Sequence, residues 1–313
     1  MPAPHGRMNI LLTGVAGQLG QELLPLLAQF GNVTTVDRNV DSAISPKRLK
    51  LDLSDLNRVE ILLNRQRPDL VVNAAAYTAV DKAENDSEPA FRMNADLPGC
   101  IARWTERNGG FLFHFSTDYV FDGQKGQPYR ETDETGPINV YGESKLAGEW
   151  AIAASKCRFM VLRTSWVYSA HGSNFVLSML RLARERSELS IVSDQTGCPT
   201  WARNLASVSV KVIDRLLKYK TESKNDGLYH YCDRTITTWY EFARSIFSTA
   251  SGLGLLDEIP RMLPLKSSQY PQIAQRPGFS VLNTAAIRDT FGVESMGLNA
   301  SLAACLQEIE DDK

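Results

Sequence analysis

Short uninterrupted apolar runs alternate with amphipathic stretches through the first half of the chain, the rhythm of an α/β fold with a parallel sheet. Residues 8–13, M-N-I-L-L-T, read as a strand that meets Gly14, Gly17 and Gly20, and a helical pattern follows through Phe30. Pro25 inside that pattern predicts a kink, because proline removes a backbone donor and crowds the preceding turn. Residues 32–36 read as a second strand ending in Asp37-Arg38, and a short third strand ends at Asp52-Leu53. Ser54 is the expected N-cap of a helix whose apolar positions are Leu56, Val59, Leu62 and Leu63. Pro68 introduces the apolar run 69–76, typical of a strand buried on both faces. A helix over 87–108 carrying Asn94, a strand over 110–115 that delivers Ser116, a helix bearing Tyr141 and Lys145, and a strand over 158–163 continue the alternation.

Beyond Tyr168 the rhythm loosens. A helix over 174–186, a strand over 189–193, a loop over 194–200, a helix over 202–218 and a strand over 228–231 are expected, with prolines and glycine over 260–278 marking irregular loops. The reading is a Rossmann-type doubly wound parallel sheet over 8–170, rejoined by later segments, with a smaller C-terminal α/β substrate-binding part over 171–313. Residues 2–7 are read as an extension outside the fold.

The candidate chemistry sits on this frame. Strand, glycine turn and helix form the first unit of a dinucleotide-binding fold, in which backbone N–H groups approach a pyrophosphate. The spacing here is G-x-x-G-x-x-G, the variant of extended short-chain dehydrogenases. An acidic residue about 20 positions later accepts from an adenosine ribose, and an adjacent arginine can hold a 2′-phosphate. Asp37 and Arg38 supply both, so NADH and NADPH stay open. Asp52 falls where such a carboxylate meets adenine, and the small residues of 73–78 fall where a strand end passes under ribose and nicotinamide. Tyr141 and Lys145 lie four apart on one helix face, above the Ser116-Thr117 turn. An ammonium beside a phenol is expected to lower its pKa toward the working range, the equipment for moving a proton on or off a carbonyl or hydroxyl oxygen. Tyr-x-x-x-Lys by itself is common on exposed helices; the strand ending in Ser-Thr and the glycine turn give it its context.

Composition narrows the partners. With 313 residues, 43% of them apolar, the chain can bury a full core, and a formal charge of -2 gives no reason to expect nucleic acid or an anionic membrane. The five cysteines are scattered, without Cys-x-x-Cys or clustered histidine, and read as reduced thiols of a cytoplasmic protein with no zinc site. No apolar run reaches the roughly 18 residues of a membrane span.

Over nearly the whole chain the motifs N-A-A-A-Y-T-A-V-D-K-A-E, S-T-D-Y-V-F-D-G, P-I-N-V-Y-G-E-S-K-L-A-G-E, R-T-S-W-V-Y and D-Q-T-G-C-P-T resemble the dTDP-4-dehydrorhamnose reductases, extended short-chain dehydrogenase/reductases. The resemblance implies NAD(P)H-dependent reduction of the 4-keto group of dTDP-6-deoxy-L-lyxo-4-hexulose to give dTDP-L-rhamnose. It implies Tyr141 as proton donor, Lys145 as the residue holding ribose and tuning the phenol, and Thr117 as the hydroxyl fixing the keto oxygen. Gly14, Gly17, Gln18, Leu19, Gly20, Asp37, Arg38, Asp52, Leu53, Ala76, Tyr77, Thr78 and Phe115 match the cofactor side. Thr117, Asp118, Trp166, Gln195, Thr200 and Arg276 match the substrate side, Arg276 as a diphosphate partner. Some relatives are associated with magnesium, and the sequence offers no compact carboxylate cluster for it; a homodimer is left open. Two rivals stand beside this reading: a regulatory relative resembling the methionine adenosyltransferase β subunit, and a nucleotide-sugar epimerase or dehydratase.

Overall fold

The computed structural model of the chain describes residues 8–38, 48–218 and 225–311; the extension at 2–7 lies outside them. In chain order the first half gives β1 (Met8–Thr13), α1 (Gln18–Leu27), β2 (Gly31–Asp37), β3 (Arg48–Lys50), α2 (Leu56–Gln66), β4 (Leu70–Asn73), α3 (Val80–Asn85), α4 (Ser87–Phe91), a π-turn (Arg92–Asp96), α5 (Leu97–Asn108), β5 (Phe111–Thr117), α6 (Val140–Ser155) and β6 (Arg158–Thr164). The second half gives β7 (Val167–Tyr168), α7 (Phe175–Glu185), β8 (Glu188–Val192), β9 (Thr196–Gly197), β10 (Thr200–Trp201), α8 (Ala202–Lys218), β11 (Gly227–His230), β12 (Thr237–Thr238), α9 (Trp239–Gly252), β13 (Arg261–Leu265), α10 (Ala285–Phe291) and α11 (Leu298–Asp311).

Seven parallel strands form one sheet in the order β11-β6-β5-β4-β1-β2-β3. Strand order reverses between β1 and β4, and in open α/β sheets ligands bind outside the carboxyl ends at that point. Because side chains alternate along a strand, each apolar strand feeds two cores. Ile10, Leu12, Leu70, Val72, Phe111 and Phe113 point to the face covered by α1, α8 and α10. Leu11, Val71, Leu112 and Val161 point to the face covered by α2, α5 and α6. Thus α8 and β11, late in the sequence, complete the first layer system, and a separate core of α7, α9, α11 and β8 with its parallel partner β13 forms beside it.

Three details differ from the sequence reading. The N-cap of α2 is Asp55, whose side chain accepts the Arg58 N–H at 3.2 Å, while Ser54 turns back to Asp52. The 87–108 helix is interrupted by the π-turn, an insertion that apolar periodicity does not register. Helix α1 includes Pro25 and ends at Leu27, three residues before the predicted end at Phe30.

Candidate active site

The carboxyl ends of β1, β2, β4 and β5 share one edge of the sheet, the crevice side of an open α/β fold. At the first, Gly14 has φ of +70°, and a Cβ there would lie 2.6 Å from the Ala75 nitrogen; one on Gly20 would lie 2.1 Å from the Gly14 oxygen. The turn therefore packs backbone on backbone and admits no side chains. Helix α1 starts at Gly17 without a side-chain cap, which leaves its first N–H groups for an anion. Asp37, ending β2, accepts the Ala16 N–H at 3.1 Å, and Arg38 beside it is exposed. The Gln18 side-chain oxygen accepts from Ser169 Oγ at 3.0 Å and Asn174 Nδ2 at 2.9 Å, fastening the turn to the second half of the chain. Leu19 is half-buried against α1's own core.

Across the crevice, residues 74–79 are irregular and are pinned by Asn94: its Oδ1 accepts the Tyr77 N–H at 2.9 Å, and its Nδ2 donates to Tyr77 O and Ser144 Oγ, each at 3.0 Å. The π-turn sets Asn94 at this junction, and Gly148 of α6 lets it approach, since a Cβ on Gly148 would lie 2.0 Å from the Asn94 oxygen. Gly148→Ala is accordingly expected to cost about 1–3 kcal/mol by overpacking, measured as a lowered urea midpoint; an unchanged midpoint would show that α6 yields freely. Ala76 and Tyr77 are half-buried and Thr78 is exposed, so this segment borders the crevice.

Thr117 ends β5, buried, its hydroxyl donating to Asp118 Oδ1 at 3.1 Å and lying within hydrogen-bonding reach of the Tyr141 phenol. Helix α6 presents Tyr141 from its first turn because Asn139 caps it, accepting the Gly142 N–H at 2.8 Å, and Glu84 accepts the Val140 N–H at 2.8 Å. The Tyr119 ring meets Tyr141 edge-on at 5.7 Å. Burial pushes the Tyr141 phenol up to about 12, only partly offset by the Thr117 contact. The expected lowering of this phenol by Lys145 is therefore not what the structure shows. The lysine points inward instead, its Nζ donating to Phe115 O at 2.6 Å and lying 3.3 Å from His114 Nε2. Burial lowers Lys145 to about 8, against an opposing pull from Glu149. Asp118 is buried with the Ser280 and Thr117 hydroxyls beside its carboxyl, and burial, only partly offset by them, raises it to about 7.

The other residues expected to meet cofactor or substrate have the following surroundings. Leu53 is buried in the α2/α5 core, and Asp52 is exposed with Oδ1 accepting from Ser54 N and Oγ at 3.0 and 2.8 Å. Thr200 is wholly buried; its hydroxyl donates to Cys198 O at 3.2 Å and accepts the Asp233 N–H at 3.4 Å, holding the loop together behind its surface. Arg276 forms a fork with Asp81, at 2.5 and 2.6 Å, and also contacts Tyr119, so its guanidinium joins the 273–280 loop to α3 and is not a free cation. The pairing, chiefly the Arg276 hydrogen bond, lowers Asp81 to about 2. Gln195 is buried with Nε2 unpartnered, and Trp166, at φ of +46°, stacks on Trp239 at 3.5 Å and closes over Gly197. All five cysteines are buried and free of disulfides. Among the described residues no group of three or more His, Cys, Asp or Glu could hold a metal, and no helix is long and apolar enough to cross a membrane.

The model of the RmlD substrate binding domain matches residues 8–311, almost the entire chain. The chain belongs to that family. A dTDP-4-dehydrorhamnose reductase from Burkholderia thailandensis is 40% identical over 309 residues, covering 96% of this chain and 99% of the relative. The crystal structure of a dTDP-4-dehydrorhamnose reductase from Clostridium acetobutylicum superposes with a TM-score of 0.84 at 34% identity, covering 97% of this chain and 100% of that one. That of the Bacillus anthracis dTDP-4-dehydrorhamnose reductase, in complex with NADP, superposes at 0.82 and 31% identity, covering 98% and 100%.

The quoted family motifs contain Asp81 and Glu149 without marking them as site residues, and they leave out His114. The available signal was a polar residue inside an otherwise apolar strand: Asn73 in L-V-V-N, His114 in F-L-F-H-F. Such a group is buried only with a partner.

Proposed function

We propose that this chain reduces the 4-keto group of dTDP-6-deoxy-L-lyxo-4-hexulose with NAD(P)H, giving dTDP-L-rhamnose. The observation that carries the reading is the Thr117–Tyr141 hydroxyl pair at the carboxyl edge of the sheet that also carries the glycine turn, in a chain that matches dTDP-4-dehydrorhamnose reductases over nearly their full length. The turn fits a dinucleotide: Gly14 and Gly20 leave no room for a Cβ, and the uncapped start of α1 offers N–H groups to the pyrophosphate.

When bound, the dihydronicotinamide supplies the hydride to C4 of the sugar. Tyr141 donates its phenolic proton to the oxygen at C4, and a phenol raised to about 12 stays protonated through the neutral range, as a donor must. Thr117 orients that oxygen by a second hydrogen bond when its hydroxyl proton swings from Asp118 to the bound substrate. Lys145, as ammonium, holds ribose and stabilises the phenolate left behind. Asp118, next to Thr117, accepts from a sugar hydroxyl, and Gln195, with its Nε2 unpartnered, and Trp166 border the sugar nucleotide. The core of α7, α9 and α11 carries the substrate side.

Asp37 and Arg38 read the ribose. Asp37 bonds a 2′-hydroxyl and repels a 2′-phosphate, whereas the exposed Arg38 can form a charge-assisted contact with that phosphate of about 1.5–3 kcal/mol, about 10- to 150-fold in affinity. Both cofactors are expected to be used, with NADPH modestly favoured. Measured kcat/KM should show that Arg38→Ala erases the preference and Asp37→Ala hurts NADH more than NADPH; an equal loss for both cofactors in Arg38→Ala would show that Arg38 does not read the phosphate.

A further inference from the structure

We propose that His114 is a positioning residue for Lys145, the last member of a polar ladder that crosses the sheet from the glycine turn to the lysine. Thr13, Asn73 and His114 are register partners on β1, β4 and β5. They share the face on which Leu11, Val71 and Leu112 stand two residues earlier, so an apolar row is followed by a polar one at the carboxyl edge. All three are buried.

The hydrogen-bond directions follow from the turn end. Thr13 Oγ1 accepts the Ala75 N–H at 3.3 Å, so its own proton goes to Asn73 Oδ1 at 2.6 Å. The Asn73 amide then turns its NH2 to His114 Nδ1, 3.0 Å away. A neutral ring accepting at Nδ1 carries its proton on Nε2, and Nε2 lies 3.3 Å from Lys145 Nζ. Burial, and secondarily the charge of Lys145, hold His114 well below its ordinary pKa, so the ring is neutral. His114 thus offers an N–H where an ammonium needs an acceptor. The contact suits the amine: it parks the neutral lysine between the ring and Phe115 O, and protonation breaks that contact and frees the ammonium to turn toward Tyr141 and ribose.

The charged and titratable groups around the lysine leave His114 as its direct neighbour. On its own helix are Tyr141 and Glu149; Glu149 is paired with Arg163 of β6 at 2.6 Å and accepts from Ser116 at 2.5 Å. Asp118 lies beyond β5. β1 and β4 contribute the uncharged Thr13 and Asn73, and in the π-turn Asn94 bonds Tyr77 and Ser144 while the charged Arg92 and Asp96 pair with each other at 3.5 Å.

The inference rests on the reading that ammonium Lys145 serves the cofactor, which makes NADPH affinity fall as pH rises through the lysine pKa near 8. In His114→Asn the new carbonyl keeps an acceptor for Asn73 but loses the reach to Lys145, so the ammonium is no longer disfavoured. The alkaline limb of NADPH affinity should move up by about half a pH unit or more. A variant whose affinity drops equally at every pH, with the limb unmoved, overturns the inference, because a merely structural histidine does that. Nitrogen-15 spectra of the wild-type ring need no variant. They should show the proton on Nε2, a neutral ring from about pH 6 to about 9, and an Nε2 signal that shifts as Lys145 titrates; a proton on Nδ1 overturns the inference. Lys145→Ala separates the two failures. If it leaves NADPH affinity intact the underlying reading is wrong, and if it weakens affinity while the His114→Asn limb stays fixed, only the role of His114 is wrong.

Discussion

Tyr141→Phe is expected to lower kcat by about 10² to 10⁴ while leaving NADPH affinity within about twofold of wild type. The change removes one oxygen. The ring keeps its edge-on contact with Tyr119 and its place in the first turn of α6, which Asn139 and Glu84 hold independently of the phenol. What is lost is the proton that must reach the C4 oxygen as hydride arrives. Thr117 cannot replace it, because an aliphatic hydroxyl is a far weaker acid than a phenol and can hydrogen-bond the oxygen without giving up its proton. Stopped-flow reduction under single turnover isolates this step, and a Phe variant with near wild-type turnover would remove Tyr141 from the mechanism.

Lys145→Met should separate stability from activity. Turnover is expected to fall about 10²-fold or more and NADPH to bind more weakly, since the phenolate and the ribose lose the same ammonium. Stability at neutral pH should rise. Lysine ordinarily titrates at 10.5 and here near 8, so below about pH 8 the folded state carries a buried charge that costs about 3 kcal/mol. Loss of the Phe115 hydrogen bond takes back about 1 kcal/mol. The sign follows from proton counts: between pH 8 and 10.5 the unfolded chain binds the extra proton, wild-type stability climbs, and the advantage of the variant fades. Urea unfolding at pH 7 and pH 10.5 reads this directly; a variant less stable than wild type at pH 7 would mean that the ammonium is well accommodated in its burial site.

The strands of the sheet were legible because buried parallel strands are apolar runs with little ambiguity, and Ala202–Lys218 was legible to the residue. The glycine turn was legible because backbone contact on both sides of Gly14 and Gly20 excludes every other residue. What escaped depends on partners distant in sequence. Arg276 reads as a diphosphate partner in Q-R-P, and its second partner, Asp81, 195 positions away, is invisible to the sequence. Thr200 reads as a substrate-side residue in D-Q-T-G-C-P-T, and its bonds to Cys198 and Asp233, which satisfy an irregular stretch of backbone, are not legible there. The Tyr141–Lys145 spacing places both residues on one face; it says nothing about the His114 ring and the Phe115 carbonyl that draw the lysine inward.

The central claim is tested most directly by incubating the protein with dTDP-6-deoxy-L-lyxo-4-hexulose and NADPH, following nicotinamide absorbance and identifying the sugar by NMR. The account predicts stoichiometric loss of NADPH with formation of dTDP-L-rhamnose, and continued turnover when fresh cofactor is added. Persistent NADPH with an unchanged sugar, or conversion of the sugar without consumption of cofactor as an epimerase would do, contradicts it.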